Sequence, residues 1–421
     1  LSSAAPEEPL KRDIGFLGSA FLSFNGLVGA GIFVLPGTLH DRFGSFSPWL
    51  FPLFGLLFLV MAIPFARVTA HHALSGGPVA YAAPFGAFAS FQAGWLYYVA
   101  RVAALAANAT VFATYLATFW PAAASGLGRA LAILAMLALT TWINIVGVKR
   151  AIRLLDALTL LKAAPLLLLA VYALATRLPE VAMAPPAFSE LEAAALLILY
   201  AFVGFENSVV AAGETRDARR TIPRALIATV IATACLYTLV QLAYAAWMGP
   251  GEGGDAPLVA LADRLLGPAG ALVLTAAVVF SLAGNISGGM TSATRVTYAL
   301  GRDGLAPAWF ARVGRHATPA NSILFMGALI AALALSGSFV WLAIVSTLAR
   351  MFVYALAIAA LPRLEGFRPF VLALGTAGIA VCAWAAAQSS ARSWLTLLAL
   401  VASGLILFFV ARRKQRRPAQ N

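Results

Sequence analysis

Charge is scarce in this sequence. Asp, Glu, Lys and Arg together supply 11% of its 421 residues against 62% apolar residues, and the mean hydropathy is +0.88. A water-soluble globular chain does not normally reach that balance, so an integral membrane protein is expected. The short alternating segments of a membrane β-barrel are missing too. Apolar runs long enough to cross a hydrocarbon core of about 30 Å recur instead along nearly the whole length, so the spans are helical. Cysteine is nearly absent: Cys235 and Cys382 both fall inside expected spans, where a disulfide would require distant helices to meet. Histidine is equally sparse. His40, His71, His72 and His316 sit at expected loop ends rather than as a ligand cluster, so no metal site is expected. A phosphate-cradling glycine loop with its lysine is missing, and so is any nucleophile, base and orienting group at a recognisable spacing. Neither a cofactor nor an enzyme is expected.

What is present is a series of twelve apolar segments, at 14–39, 46–68, 84–119, 127–147, 153–176, 190–213, 222–248, 268–300, 320–336, 339–361, 369–387 and 393–411. The polar leader "LSSAAPEEPLKRD" carries no cleavage signature, and the run after it is too long for a signal peptide core, so the first helix is expected to be retained. No connection is long enough for a soluble domain. The longest outer ones lie near "RLPEVAMAPPAFSE" and "GPGEGGDAPLVALADRLLG", the second apolar enough for a short interfacial helix.

The net charge of +13 is an orientation signal. With a cytoplasmic N-terminus, twenty Lys and Arg residues fall on the inner side and only five, Arg42, Arg129, Arg177, Arg264 and Arg392, on the outer. That asymmetry suits a multi-pass protein of the cell inner (plasma) membrane with both termini cytoplasmic. The tail "ARRKQRRPAQ" reads as an anchor that touches anionic lipid, and no nucleic-acid partner is expected.

Four ionisable residues lie deep within spans: Arg101, Lys162, Glu206 and Arg350. At mid-bilayer each costs about 2.5–3.5 kcal/mol, so each must face protein or water and have a partner. The first span is interrupted at "GLVGAGIF" and the sixth at "YAFVGFENS". Glycine lets a backbone leave helical dihedrals, and the freed amides and carbonyls then need partners. Two interrupted helices at matching positions of successive five-helix units point to a midplane binding site in a secondary transporter.

Four blocks carry a resemblance: "GLVGAGIFVLPG", "SGGPVAYAAPFG", "YAFVGFENSVVAAGETRDARRTIPRAL" and "TRVTYALGRDGLAPAWFARVGRHATPAN". In order and spacing they resemble the amino acid, polyamine and organocation (APC) transporter superfamily. The resemblance implies an all-α membrane protein of LeuT type with 12 transmembrane helices in a 5+5 inverted repeat. The divisions would be a cytoplasmic segment 1–13, a first five-helix repeat 14–176, a second repeat 190–361, helices eleven and twelve at 369–411 and a basic cytoplasmic tail 412–421. It further implies spans one and six unwound at the centre, with spans three, eight and ten lining the pocket.

An α-amino acid presents a carboxylate and an ammonium on one carbon. The carboxylate suits half-helix N-terminal amides, for which Gly29, Ala30 and Gly31 are candidates, with Ile32 opening the second half-helix. The ammonium suits unwound carbonyls near Asn25, Tyr200, Ala201 and Val203. The same glycines are also compatible with close helix packing alone. Glu206 is either a proton-binding group or half of a buried pair with Arg101 or Arg350. Lys162 matches a lysine that many sodium-independent members carry, standing in for a sodium ion near Ser287; it is either a titrating coupling group or a fixed tether. Tyr200 aligns with an aromatic lying over the substrate in relatives, and Phe205 falls in the break; both are gate candidates, or packing. Tyr97 and Asn285 are pocket candidates or simple cross-helix hydrogen-bonding groups.

These readings converge on a sodium-independent secondary transporter of amino acids working by alternating access. Spans one, two, six and seven would rock against the rest, coupled either to proton symport or to solute exchange. Neutral substrates are favoured because, Glu206 apart, the binding spans offer no carboxylate for a distal cation. The competing readings are a polyamine or basic amino acid antiporter, and a non-transporting amino acid sensor, which usually carries long cytoplasmic extensions not seen in this chain. The partners expected are the amino acid, protons and membrane lipid; no accessory subunit is implied.

Overall fold

The computed structural model describes residues 13–72, 77–147, 163–210, 212–302, 304 and 306–415. Among them the secondary structure is helical; the one β-type feature is an isolated bridge between Ile14 and Thr215. Eight segments are long and apolar enough to cross a membrane: Ala30–Ala70, Ala87–Leu116, Gly126–Val146, Ala218–Trp247, Pro257–Arg302, Phe339–Glu365, Pro369–Ala387 and Ala391–Val410. Shorter apolar helices run over Phe16–Leu27, Ala163–Thr176 and Ala320–Ser336. Large apolar side chains such as Leu127, Trp142, Leu168, Phe280, Phe370 and Leu395 are exposed on the outside. In water that surface would aggregate; against lipid tails it is the hydrocarbon-facing coat of a multi-pass membrane protein.

The site is positioned by nine helices: α1 (Phe16–Leu27), α2 (Ala30–Phe43), α3 (Leu50–Ala70), α4 (Ala87–Leu116), α5 (Gly126–Val146), α6 (Phe188–Tyr200), α7 (Asn207–Val210), α8 (Ala218–Trp247) and α9 (Pro257–Arg302), closed by α10 (Phe339–Ala359). The first and sixth expected spans are each split, into α1 and α2 and into α6 and α7. α4 is the central pillar, packed on α10 along one face and on α9 along another. Its run of buried alanines, Ala100, Ala103, Ala104, Ala106 and Ala107, removes bulk from the contact, and backbones approach closely where side chains are small. The approach is close enough for Ser346 Oγ on α10 to donate to the Ala100 carbonyl at 2.8 Å. On the other side α8 packs along α3 and against α1.

α9 begins earlier than its apolar run. Residues 257–266 are helical, and Gly267 then turns the chain with φ 68° and ψ −167°, a left-handed region that suits glycine. The expected short helix in this connection is thus the first arm of a kinked α9. At the opposite end, the backbone of Ile14 donates to Glu214 at 3.0 Å and accepts from Arg216 at 2.8 Å. The entry to α1 is therefore fastened to the loop leaving α7.

Candidate functional site

α1 ends because the chain turns extended. Val28 takes ψ 82°, its amide still donates to Phe24, and Gly29 at φ −118° and ψ −149° precedes the first residue of α2. The exposed backbone groups are taken up by side chains from three other helices. Ala30 N donates to Asn108 Oδ1 at 2.9 Å, Asn108 Nδ2 donates to Asn285 Oδ1 at 2.8 Å, and Asn285 Nδ2 donates to the Asn25 carbonyl at 2.7 Å. Two asparagines thus form a continuous relay from the end of α1 to the start of α2. Tyr237 Oη donates to the Leu27 carbonyl at 3.0 Å. Unpaired polar groups in a dry interior are costly, which is why the break needs this scaffold.

α6 ends in a tightened turn: Ala201, Phe202 and Val203 donate three residues back, to Ile198, Leu199 and Tyr200. Gly204 then adopts φ +106°, where other L-residues are strained. Its amide donates to Glu206 Oε2 at 3.0 Å. The same oxygen accepts from Tyr354 Oη at 2.8 Å, while Glu206 Oε1 accepts from Arg350 Nε at 3.2 Å. Arg350 in turn donates to Ser346. Of the alternatives open for Glu206, this geometry is the buried pair with Arg350: both side chains are 1% exposed.

The two breaks meet backbone to backbone. A β-carbon on Gly26 would collide with the Gly204 carbonyl and the Asn207 amide, and one on Gly204 would stand 2.7 Å from the carbonyl carbon of Gly26. Ser23 Oγ donates to Ser208 Oγ at 2.8 Å across the same junction. Beside it lies a cavity of about 20 Å³, room for one or two waters. Gly26, Gly29 and Gly31 line it from the first break and Tyr200 and Val203 from the second. Arg101, Leu105 and Asn108 of α4, Asn285 of α9 and Arg350 of α10 complete the wall.

Of the expected site residues, Gly29, Gly31, Tyr200, Val203 and Asn285 come together on this wall. The Ala30 amide and Asn25 carbonyl face Asn108 and Asn285 rather than open space. Ala201 backs onto Gly31, and Ile32 is fully buried away from the cavity. Phe205 does not reach the cavity: its ring packs 5.1 Å from Phe58, 5.3 Å from Phe65 and 5.5 Å from Tyr354. Tyr97 is likewise off the wall, buried one helical turn before Arg101, with no hydrogen-bond partner for its hydroxyl among the described residues. Ser287 accepts from Asn144 Nδ2 at 3.0 Å, on a different side of α9 from Asn285. Lys162 lies outside the described residues. Sequence reasoning missed Asn108. The signal lies in "LAANAT", an amide in the middle of an apolar span, without a charge to mark it out.

Arg101 has an unusual position. It is 4% exposed and lines the cavity, and its one hydrogen bond among the described residues is Nη2 to Ser292 Oγ at 3.4 Å. Among the described residues its buried Nε has no hydrogen-bond partner and no carboxylate pairs with it.

Comparison with known proteins gives the same direction. The chain is 29% identical to an uncharacterised transporter of Mycobacterium tuberculosis over 99% of this chain and 94% of that one. It is 25% identical to the methylthioribose transporter of Bacillus subtilis, covering 98% and 96% of the two chains. It is also 25% identical to the cadaverine/lysine antiporter of Escherichia coli, covering 97% of each. The amino acid permease family model matches residues 14–415. With helices, breaks and sequence in agreement over nearly its full length, this chain belongs to the amino acid permease family of APC-type membrane transporters.

Proposed function

We propose that the protein is a sodium-independent secondary active transporter of amino acids that works by alternating access. The observation that carries this reading is the meeting of two helix breaks at Gly26 and Gly204 beside a small polar cavity. Half-helix ends supply a positive dipole end for a carboxylate and unwound carbonyls for an ammonium without a buried full charge. The first-turn amide of Gly31 lies on the cavity wall ahead of the first i→i−4 bond of α2, so it is available to a substrate carboxylate. The packing of α1 and α3 against α8 supports a mobile unit made of the first, second, sixth and seventh spans. A 12-helix, 5+5 inverted arrangement in the plasma membrane with cytoplasmic termini is part of this proposal, as is coupling by proton symport or exchange.

The named relatives carry, by their names, a neutral sugar derivative in one case and cationic amines in another, at equal identity to this chain. Overall similarity therefore leaves the substrate charge to the cavity wall. There, two guanidinium groups line the cavity and the one carboxylate nearby, Glu206, is paired with Arg350, which disfavours a diamine or basic amino acid.

The test is uptake of labelled amino acids into proteoliposomes free of sodium, with and without a pH gradient and with and without internal amino acid. Saturable uptake is expected, dependent on the gradient if the carrier is a symporter and on internal solute if it is an exchanger. Absence of saturable uptake for every amino acid would remove the proposal.

A further inference from the structure

Among the described residues, Arg101 is the one charged group on the cavity wall with no carboxylate paired to it. Glu206, the carboxylate at the second helix break, is committed elsewhere: its two oxygens already accept from Arg350, Tyr354 and the Gly204 amide. Among the described residues, Arg101 has a single long contact to a neutral serine, and its buried Nε has no partner. A buried guanidinium in this condition is expensive, and side chains of this kind are kept where something supplies the missing charge. Arg also presents a planar fork of donors that matches a carboxylate bidentately, which a lysine would not.

The α-carboxylate of a substrate does not fill this role, because α2 already offers it the first-turn amide and positive dipole end at Gly31. Arg101 sits on α4, on a different wall of the same cavity. We infer that Arg101 is the counter-charge for a second acidic group, so that the preferred substrate is an acidic amino acid, an α-amino dicarboxylate. The inference rests on the amino acid carrier proposed above. It is an alternative to the neutral preference read from the sequence, and it follows from Glu206 pairing with Arg350 rather than with Arg101.

The experiment uses the purified full chain in chloride-free detergent buffer, so that halide does not compete, with binding read by thermal shift and calorimetry. The probes are glutamate, aspartate, glutamine, asparagine and glutarate. Wild-type protein is expected to prefer glutamate or aspartate over its amide by about tenfold to a hundredfold, the range for one charge-assisted hydrogen-bonded contact. Arg101→Gln is expected to bring that preference close to one, with unliganded thermal stability unchanged or raised because an uncompensated charge has been removed. Arg101→Lys, which keeps charge but not the fork, is expected to retain part of the preference. Equal binding of glutamine and glutamate, or a preference that survives Arg101→Gln, overturns the inference while leaving the carrier reading intact. Glutarate competing as well as glutamate overturns it by showing that the amino group is not recognised. If no amino acid binds, both readings fall together.

Discussion

Replacing Arg350 by methionine removes a guanidinium that is 1% exposed and donates to Glu206 Oε1 at 3.2 Å. Breaking a buried ion pair from one side costs about 3–5 kcal/mol, because the surviving charge stays in a dry interior. After Arg350→Met, Glu206 keeps the Gly204 amide at 3.0 Å and the Tyr354 hydroxyl at 2.8 Å. Those two donors place the expected loss at the lower end, about 3 kcal/mol. Glu206→Gln is the harsher change: it leaves Arg350 with Ser346 and no carboxylate, for a loss of about 4–5 kcal/mol. The double variant strands neither charge. Its loss is expected to fall short of the two single losses combined by at least about 2 kcal/mol. The assay is a double-mutant cycle from denaturant unfolding in mixed micelles, with uptake measured on the same samples. Additivity within about 0.5 kcal/mol would refute the reasoning, since the two side chains would then not depend on each other.

Three further outcomes follow from the same geometry, and a fourth from the sequence. Gly204→Ala meets both a strained φ of +106° and the Gly26 backbone, and is expected to lower stability by about 2–4 kcal/mol and abolish uptake; a normal melting profile in micelles would contradict it. Asn108→Ala interrupts the relay at its centre and leaves the Ala30 amide and Asn285 carbonyl oxygen without their partner, at a cost of about 1–3 kcal/mol in unfolding experiments, with substrate affinity altered as well. Tyr200→Ala is expected to change substrate affinity in competition binding, whereas Phe205→Leu, away from the cavity, is expected to lower stability by about 1–2 kcal/mol with affinity unchanged. Lys162→Ala is expected to abolish coupled uptake while expression stays near normal; retained pH-dependent uptake would exclude a coupling role.

The helix breaks were legible because glycine is a strong local signal and because two glycine-bearing interruptions fall at matching places in the first and sixth apolar segments. The helical class was legible for the same composition reasons that excluded a soluble domain. Which face a residue presents was not. Phe205 lies next to Gly204 in sequence, but the left-handed turn at Gly204 directs its ring into the cluster of Phe58, Phe65 and Tyr354. Glu206 was visible as a costly buried carboxylate, yet the choice between Arg101 and Arg350 as partner depended on helix rotation that no linear pattern records. Asn108 was missed for a further reason. A single amide in an alanine-rich span carries no charge to attract attention, and its importance comes from bonding two backbone ends that are remote in sequence.

The asparagine relay has a consequence for how tightly a solute can be held. Because Asn108 and Asn285 already satisfy the Ala30 amide and the Asn25 carbonyl, any newcomer reaching for those atoms displaces an existing bond and gains only the difference. Occupied and vacant forms then lie close in free energy, so the cargo is caught firmly enough to be sorted and loosely enough to be let go. A molecule that ferries its passenger thousands of times needs that shallow well more than it needs a deep one.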